Sequence, residues 1–437
     1  MAVAGPMTGV PAPAVGDVVM LRIRAVASGG AGIGTLPDGR AAFVHRTAPE
    51  DEVRARITKL KSRWSQAELV AVLSPGPARV EAPCPHYGTC GGCTLQHLAY
   101  EEQLRWKARF VTDALARIGG IGAVEVDVEP SPMPTAYRNR VTFTVRTLPA
   151  GRVIAGFHGL HDPDRIVDLT RGCLLPEPAI SEAWAALRAA WRSGARPLPP
   201  ARELRVTLRS LSEGGVVVLV KGGAEGWDPE PLRSRVPGVA AVWHQAGGRN
   251  RPVRVFGAPV HDMWGQDQVP VSGQSFLQVN RQAAAALVAH VVSAAGAPAR
   301  AVDAYCGVGA YGRALARLGW DVMGIESDSD ACEGARHEAP DGFRVVEGLV
   351  EEQLPGLLPV DLVILNPPRT GLQEWVPDTL IQHKPGRIVY VSCDPATLAR
   401  DAGRLSGAYT LSAARCFDLF PQTSHVETVA VFTRNAS

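Results

Sequence analysis

The sequence predicts an α/β protein. A C-terminal doubly wound, Rossmann-like domain follows an N-terminal OB-like β-barrel and a strand-rich central domain. Three observations carry this expectation. From Arg281 onward, apolar runs of strand length alternate with helical stretches, the pattern of a parallel sheet covered on both faces. Before residue 74, short apolar runs are cut by glycine-rich turns, the pattern of a small barrel. Between the two, strand-like runs enclose a single helical segment. With 46% apolar residues in 437, the chain has enough apolar side chains for several cores. We place the divisions at 9–74 (barrel), 75–124 (cysteine loop and helix), 125–265 (central α+β domain) and 266–437 (C-terminal domain).

In the barrel the expected strands are Val18–Ile23, Ala41–Val44, Glu52–Leu60 and Ala67–Leu73. Gly29-Gly30-Ala31-Gly32 and Pro37-Asp38-Gly39 turn the chain between them. Arg54, Arg56, Lys59, Lys61 and Arg63 line one strand and its turn, a candidate RNA contact. A helix over 100–118 follows the cysteine loop. The central helix spans Ile180–Trp191, and Ser181 with Glu182 nearby is a candidate opening for it. In the C-terminal domain the expected strands are Arg300–Ala304, Asp321–Ile325, Phe343–Val346, Leu362–Leu365, Ile388–Ser392 and Glu427–Thr433. The apolar stretch Ala283–Ala299 holds His290 and ends in Gly and Pro, so it reads as a packed helix and not a membrane span. The N-terminus lacks the basic start of a signal peptide, so the expected location is the cytoplasm.

Net charge is +2, but it is unevenly placed. Residues 1–299 carry 33 basic and 25 acidic side chains, whereas residues 300–437 carry 12 and 18. A basic front and an acidic back suit a protein that holds a polyanion with one part and a cationic cofactor with another.

Val302-Asp303-Ala304-Tyr305-Cys306-Gly307-Val308-Gly309 ends a strand and opens a helix, with glycines that let backbone approach a ligand. Glu326 ends the next strand, 17 residues on, where a carboxylate can hold ribose hydroxyls. The same layout serves NAD. The segments further along favour S-adenosylmethionine, because they suit methyl transfer and not hydride transfer.

Val391-Ser392-Cys393-Asp394-Pro395 places a thiol at the C-terminal edge of the sheet, where open α/β folds keep their ligands. C5 of uracil is too weak a nucleophile to attack a methyl sulfonium. Addition of a thiolate at C6 makes C5 electron-rich, and a base must then remove the C5 proton. Cys393 is the candidate nucleophile and Glu427, in Thr423-Ser424-His425-Val426-Glu427, the candidate base.

Tyr390-Val-Ser-Cys393-Asp-Pro-Ala-Thr-Leu-Ala-Arg-Asp401 and Asp418-Leu-Phe-Pro-Gln-Thr-Ser-His-Val-Glu427 resemble the two signature motifs of the RNA uracil-C5 methyltransferase family. Its RumA-like members act on 23S rRNA and its TrmA-like members on tRNA. The resemblance covers most of the chain. It implies that the barrel is a TRAM domain and that the C-terminal domain binds S-adenosylmethionine. It also implies cofactor contacts from Gln278, Tyr305, Gly307, Gly309, Ala310, Glu326, Gly348 and Asn366. The expected partner is RNA, in rRNA or tRNA, with the target uridine single-stranded or flipped; the expected state is a monomer without membrane attachment.

Three positions depart from the family pattern. Ala310 stands where Asn is usual, Gly348 where a polar residue is usual, and Asn366 where Asp is usual. Each loss removes a hydrogen bond worth about 0.5–1.5 kcal/mol net. Asn366-Pro-Pro-Arg369 also resembles the Asn-Pro-Pro-aromatic motif of amino-methylating enzymes, but position 369 is Arg. The departures leave open a third reading, a non-catalytic RNA-binding or cluster-carrying protein.

Cys84, Cys90 and Cys93, with Cys173 later, offer four thiolates that suit a [4Fe-4S] cluster or a structural zinc. Cluster-binding members of the resembled family share this spacing, which favours iron–sulfur. His86 and His97 read as bystanders. For the substrate, Phe276 is a candidate to stack on a base, and Tyr137-Arg138-Asn139-Arg140 to contact phosphate and base.

Overall fold

The computed structural model describes residues 13–122, 124–191, 195–249, 251–271 and 277–436. Phe276 and the segment 272–276 lie outside the described residues. The chain forms two compact units. One runs up to Gly88 and includes Cys93–Trp106 and Gln422–Ser424; the other holds Thr89–Gly92, Lys107–Pro421 and His425–Ser437.

In the first unit β1 (Val18–Arg22), β2 (Ala25–Val26), β3 (Ala31–Thr35), β4 (Ala41–His45), β5 (Glu52–Leu60) and β6 (Trp64–Ser74) make a sheet ordered β1-β5-β6-β4-β3-β2. On β5, exposed Glu52, Arg54 and Arg56 alternate with buried Val53, Ala55 and Ile57, as a strand of period two requires. The buried set joins Leu21, Ile23, Leu36 and Val44 in one core. At Gly32 a Cβ would lie 2.0 Å from Thr47 Oγ1, so only glycine lets these segments meet. Buried Asp51 accepts from the Ala48 and Gly76 backbone and from Arg79, fastening the chain that leaves the sheet. The basic run stays on the outside, with Lys59 Nζ 5.6 Å above the Trp64 ring.

After α1 (Tyr100–Arg117) come β7 (Val126–Glu129), β8 (Arg140–Thr147), β9 (Val153–His158), β10 (Ile166–Asp168), α2 (Pro178–Ala189), β11 (Glu203–Ser210) and β12 (Val216–Lys221). Next are α3 (Glu230–Arg233), β13 (Val239–Gln245), β14 (Val253–Phe256), β15 (Val260–Trp264) and β16 (Asp267–Val271). A sheet ordered β10-β9-β8-β11-β12-β13-β14 packs its apolar face on α2, with Phe143 stacked on Trp184 at 3.7 Å. Pro178, not Ser181, opens α2: its fixed φ and missing N–H suit the first helical position.

The C-terminal part runs α4 (Arg281–Ala295), β17 (Arg300–Ala304), α5 (Ala310–Ala316), β18 (Asp321–Glu326), α6 (Ser329–Arg336), β19 (Phe343–Glu347), α7 (Val350–Leu357) and β20 (Leu362–Leu365). It ends with α8 (Trp375–His383), β21 (Arg387–Ser392), α9 (Pro395–Leu405), β22 (Tyr409–Phe417) and β23 (Glu427–Arg434). The sheet order is β19-β18-β17-β20-β21-β23-β22-β7. Alternate residues enter opposite cores. Val302, Val363 and Ile388 face Leu354, Leu380 and Leu398, whereas Ala301, Ile364 and Val389 face Leu287 and Leu315. That is the doubly wound arrangement, with two revisions to the expectation. β23 pairs antiparallel with both β21 and β22. Only a loop joins β22 to β23, and a parallel pair needs a longer crossover. A second revision is that β7 leaves the central sheet and pairs with β22. Among the described residues no helix is long and apolar enough to cross a membrane; the stretch from Ala283 is largely α4, capped by the Asn280 side chain.

Candidate active site

β21 and β23 position the candidate pair, Cys393 and Glu427. Ser392 lies opposite Thr428 in their antiparallel register. Cys393 follows Ser392 and Glu427 precedes Thr428, so the thiol and the carboxylate face each other at one end of the two strands. The Asp394 carboxylate caps α9, accepting from Ala396 N at 2.9 Å and Thr397 N at 3.0 Å.

Glu427 is 4% exposed. Burial pushes its carboxyl up to about 8, against the opposing pull of Arg369. Burial and the Glu427 charge also raise the Cys393 thiol, and Arg369 again lowers it. His425 falls to about 4 through burial, then through the charge of Arg369. Arg369 is thus the cation common to all three groups. It sits on the exposed loop after β20 and makes no ion pair among the described residues. Its field favours the thiolate and the carboxylate over their neutral forms.

The loop before Glu427 is held from several sides. Asn280 Nδ2 donates to Leu419 O at 3.4 Å, Lys107 Nζ to Phe420 O at 3.1 Å, and Tyr137 Oη to Pro421 O at 3.1 Å. This corrects the reading of Tyr137-Arg138-Asn139-Arg140 as an RNA contact at Tyr137 and Asn139. Tyr137 and Asn139 are buried, and Asn139 Nδ2 donates to Gln278 O at 3.0 Å. Arg138 lies 5.7 Å over Phe420. These side chains brace the site from within.

The cofactor loop follows β17. Tyr305, Gly307 and Gly309 all take positive φ, and Gly309 opens α5. A Cβ on Gly309 would sit 2.6 Å from the Phe343 ring. Glu326 ties the loop down: Oε2 accepts from Gly307 N at 2.9 Å, and Oε1 from Ser327 N and Asp328 N, both at 2.8 Å. Asp303 is buried, rises to about 7 by burial, and accepts from Gly312 N at 2.8 Å. Tyr305 Oη donates to Glu351 at 3.1 Å. Gly348 N reaches Glu326 O at 2.8 Å, and Asn366 N reaches Ala304 O at 3.2 Å. Ala310 is the first residue of α5. Gly307, Gly309, Ala310, Glu326, Gly348 and Asn366 therefore gather around the ends of β17, β18, β19 and β20, where such sheets bind ligands. Gln278 lies half-buried just before α4.

With this geometry in hand, the comparisons with known proteins decide the family. The sequence pattern described as tRNA (Uracil-5-)-methyltransferase matches residues 344–435, and the TRAM domain pattern matches 14–70. An RNA methyltransferase of Gloeobacter violaceus is 34% identical over 96% of this chain and 97% of its own. The chain belongs to the RNA uracil-C5 methyltransferase family, whose methyl donor is S-adenosylmethionine. A 23S rRNA (uracil(1939)-C(5))-methyltransferase of Alkalilimnicola ehrlichii is 32% identical over 91% of this chain and 93% of its own. The Pyrococcus abyssi tRNA (uracil-54, C5)-methyltransferase, solved with S-adenosyl-L-homocysteine, superposes with a TM-score of 0.73. It is 28% identical and covers 95% of this chain and 100% of its own.

For a member of this uracil-C5 methyltransferase family, the cysteine set needs its own account. Cys84, Cys90, Cys93 and Cys173 are half-buried and form no disulfide among the described residues. Among the described residues no group of three or more His, Cys, Asp or Glu is arranged to hold a metal ion. His97 is buried against Tyr87 Oη at 2.6 Å, and burial lowers it to about 4, in keeping with a packing role. Sequence reasoning passed over Arg369 and Lys107. A lone Arg in a Pro-rich loop and a lone Lys in a helix give no local signal of what they face.

Proposed function

We propose that this enzyme forms 5-methyluridine in RNA, with Cys393 as nucleophile and Glu427 as base. The observation that carries the reading is the placement of Cys393 against Glu427 at the ends of two paired strands, under the charge of Arg369. The Cys393 thiolate adds to C6 of the uracil, and the ring electrons move to O4 as an enolate. C5 attacks the methyl sulfonium of S-adenosylmethionine and S-adenosylhomocysteine leaves. Glu427 takes the C5 proton, the C5–C6 double bond reforms, and the thiolate is expelled. Arg369 favours the thiolate before attack and the enolate after it. Gly307, Gly309 and Glu326 cradle the nucleoside part of the cofactor, and Gln278, Tyr305, Ala310, Gly348 and Asn366 complete its surroundings.

We assign 23S rRNA as the substrate ahead of tRNA. The support is the relative from Alkalilimnicola ehrlichii, named for that substrate and similar over nearly the whole chain. Nucleoside mass spectrometry of rRNA and tRNA from a deletion strain tests both parts. Loss of 5-methyluridine from 23S rRNA supports them. Loss from tRNA alone moves the substrate, and intact 5-methyluridine in both refutes the activity. The cysteine spacing and the family resemblance are the support for a [4Fe-4S] cluster on Cys84, Cys90, Cys93 and Cys173, with structural zinc the alternative.

A further inference from the structure

The seven-stranded sheet has two unlike faces. Val141, Phe143, Val206, Leu208, Val218 and Val220 point into the core against α2. The alternate residues form the other face, where Thr144, Thr207, Val217 and Leu219 are buried and basic side chains reach the surface toward the strand ends. Register sets Arg205 of β11 opposite Lys221 of β12, and Arg209 of β11 opposite Arg140 of β8. Like charges directly across a strand pair are destabilising, yet the sheet keeps Arg205 and Lys221 as such a pair. Beyond Lys221 the same face carries Trp243 of β13, with Arg254 of β14 opposite it and its guanidinium 5.7 Å over the ring.

Arg205 is exposed, and Lys221, Arg254 and Trp243 are half-buried. Among the described residues Arg205, Lys221 and Arg254 form no ion pair, whereas Arg146 at the margin pairs with Glu203. The Lys221 ammonium is lowered by burial and then by the charges of Arg140 and Arg205. Trp243 Nε1 is buried without a partner. Neighbouring strands lie about 4.8 Å apart, so Arg205 and Lys221 stand side by side and Arg254 lies two strands further along. An aromatic ring between them offers a stacking surface.

We propose that the accessible margin of this face, through Arg205, Lys221, Arg254 and Trp243, is a docking surface for a single-stranded segment of the RNA substrate. The inference rests on the RNA methyltransferase reading for its choice of polyanion. The cations contact phosphates, and Trp243 stacks a base or sugar. The face adds affinity and takes no part in the chemistry at Cys393.

The test compares wild type with Arg205→Gln/Lys221→Gln/Arg254→Gln, using a short single-stranded oligouridylate as probe. Each phosphate contact contributes about 0.7 to the slope of log affinity against log salt on a single strand. The triple variant is expected to lose about 2 from that slope. It is also expected to show a KM for transcribed 23S rRNA raised about tenfold or more, with kcat and S-adenosylhomocysteine binding retained. Arg205→Gln alone, at an exposed position that folding does not depend on, is expected to lose about 0.7. An unchanged slope in both variants overturns the proposal. If wild type methylates no RNA while the slope still falls in the variants, the surface is supported and the activity reading fails.

Discussion

Lys107 Nζ donates to Asp418 Oδ1 at 2.5 Å, and both side chains are fully buried. The pair fastens α1 to the loop that delivers Glu427, and Lys107 reaches on to Phe420 O. Breaking a buried pair by removing one partner costs about 3–5 kcal/mol, whereas replacing both with apolar side chains is near neutral. Lys107→Met or Asp418→Asn alone is therefore expected to lower unfolding stability in urea by about that amount. Lys107→Met/Asp418→Leu is expected to regain it, yet to keep a reduced kcat because Phe420 O has lost its donor. Full recovery of kcat in the double variant would show that the pair serves stability alone.

How much of this was legible in the sequence follows from how local each signal is. Cys393 and Glu427 were readable because each sits in a long motif beside a strand. Their mutual placement was not, because it depends on β23 running antiparallel to β21. Lys107 was hidden because its partner lies 311 positions away. Tyr137 and Asn139 were read as RNA contacts because polar residues opening a strand look solvent-facing. They are buried because their hydrogen bonds go to Pro421 O and Gln278 O.

The rate should depend on pH through Glu427. The base works as a carboxylate, and burial raises its pKa to about 8. Single-turnover methyl transfer, followed to product release, is expected to rise with pH through about 8. Arg369 lowers the pKa of Glu427 and of Cys393. Arg369→Gln should therefore move the rising limb to higher pH, and a limb at unchanged pH would remove Arg369 from the site's electrostatics. Stability carries the opposite sign. A buried carboxyl with a raised pKa binds its proton more tightly folded than unfolded, so its contribution is lost as pH rises from the ordinary 4.5 toward about 8. Glu427→Gln should melt at a higher temperature than wild type above pH 8, with the gap closing in acid.

Ala310→Asn tests the first departure from the family pattern. The position opens α5 beside the cofactor loop. One added hydrogen bond of about 0.5–1.5 kcal/mol corresponds to S-adenosylhomocysteine binding tightened about two- to tenfold. Calorimetry reads this directly. Unchanged or weaker binding would show that the loop has adapted to Ala310.

The four-thiol set is checked by purification without oxygen, followed by iron, sulfide and zinc assays. The [4Fe-4S] reading expects a brown protein with about four irons per chain, lost in Cys90→Ser. A colourless protein with zinc moves the set to the structural-zinc alternative, and one without metal ends both readings and agrees with the absence of a metal-holding group among the described residues.

Glu427→Gln separates methyl transfer from proton removal. Gln keeps nearly the same shape at a position that is 4% exposed, so the pocket and the facing Cys393 should persist. It cannot accept the C5 proton. Attack of Cys393 on C6 and transfer of the methyl group to C5 both precede that proton's departure, so both steps should proceed. The reaction then stalls at a methylated adduct joined through Cys393 Sγ. The expected result is a protein–RNA species that survives denaturing electrophoresis and carries label from the cofactor's methyl group. Cys393→Ala/Glu427→Gln should give no such species, because the bond that joins protein to RNA cannot form. Wild-type turnover without a trapped adduct would assign the base elsewhere. Asp394 and Asp418 are poor substitutes, because one caps α9 and the other is paired with Lys107. Loss of both adduct and product would instead mean that Glu427 acts before methyl transfer, by holding the uracil for attack.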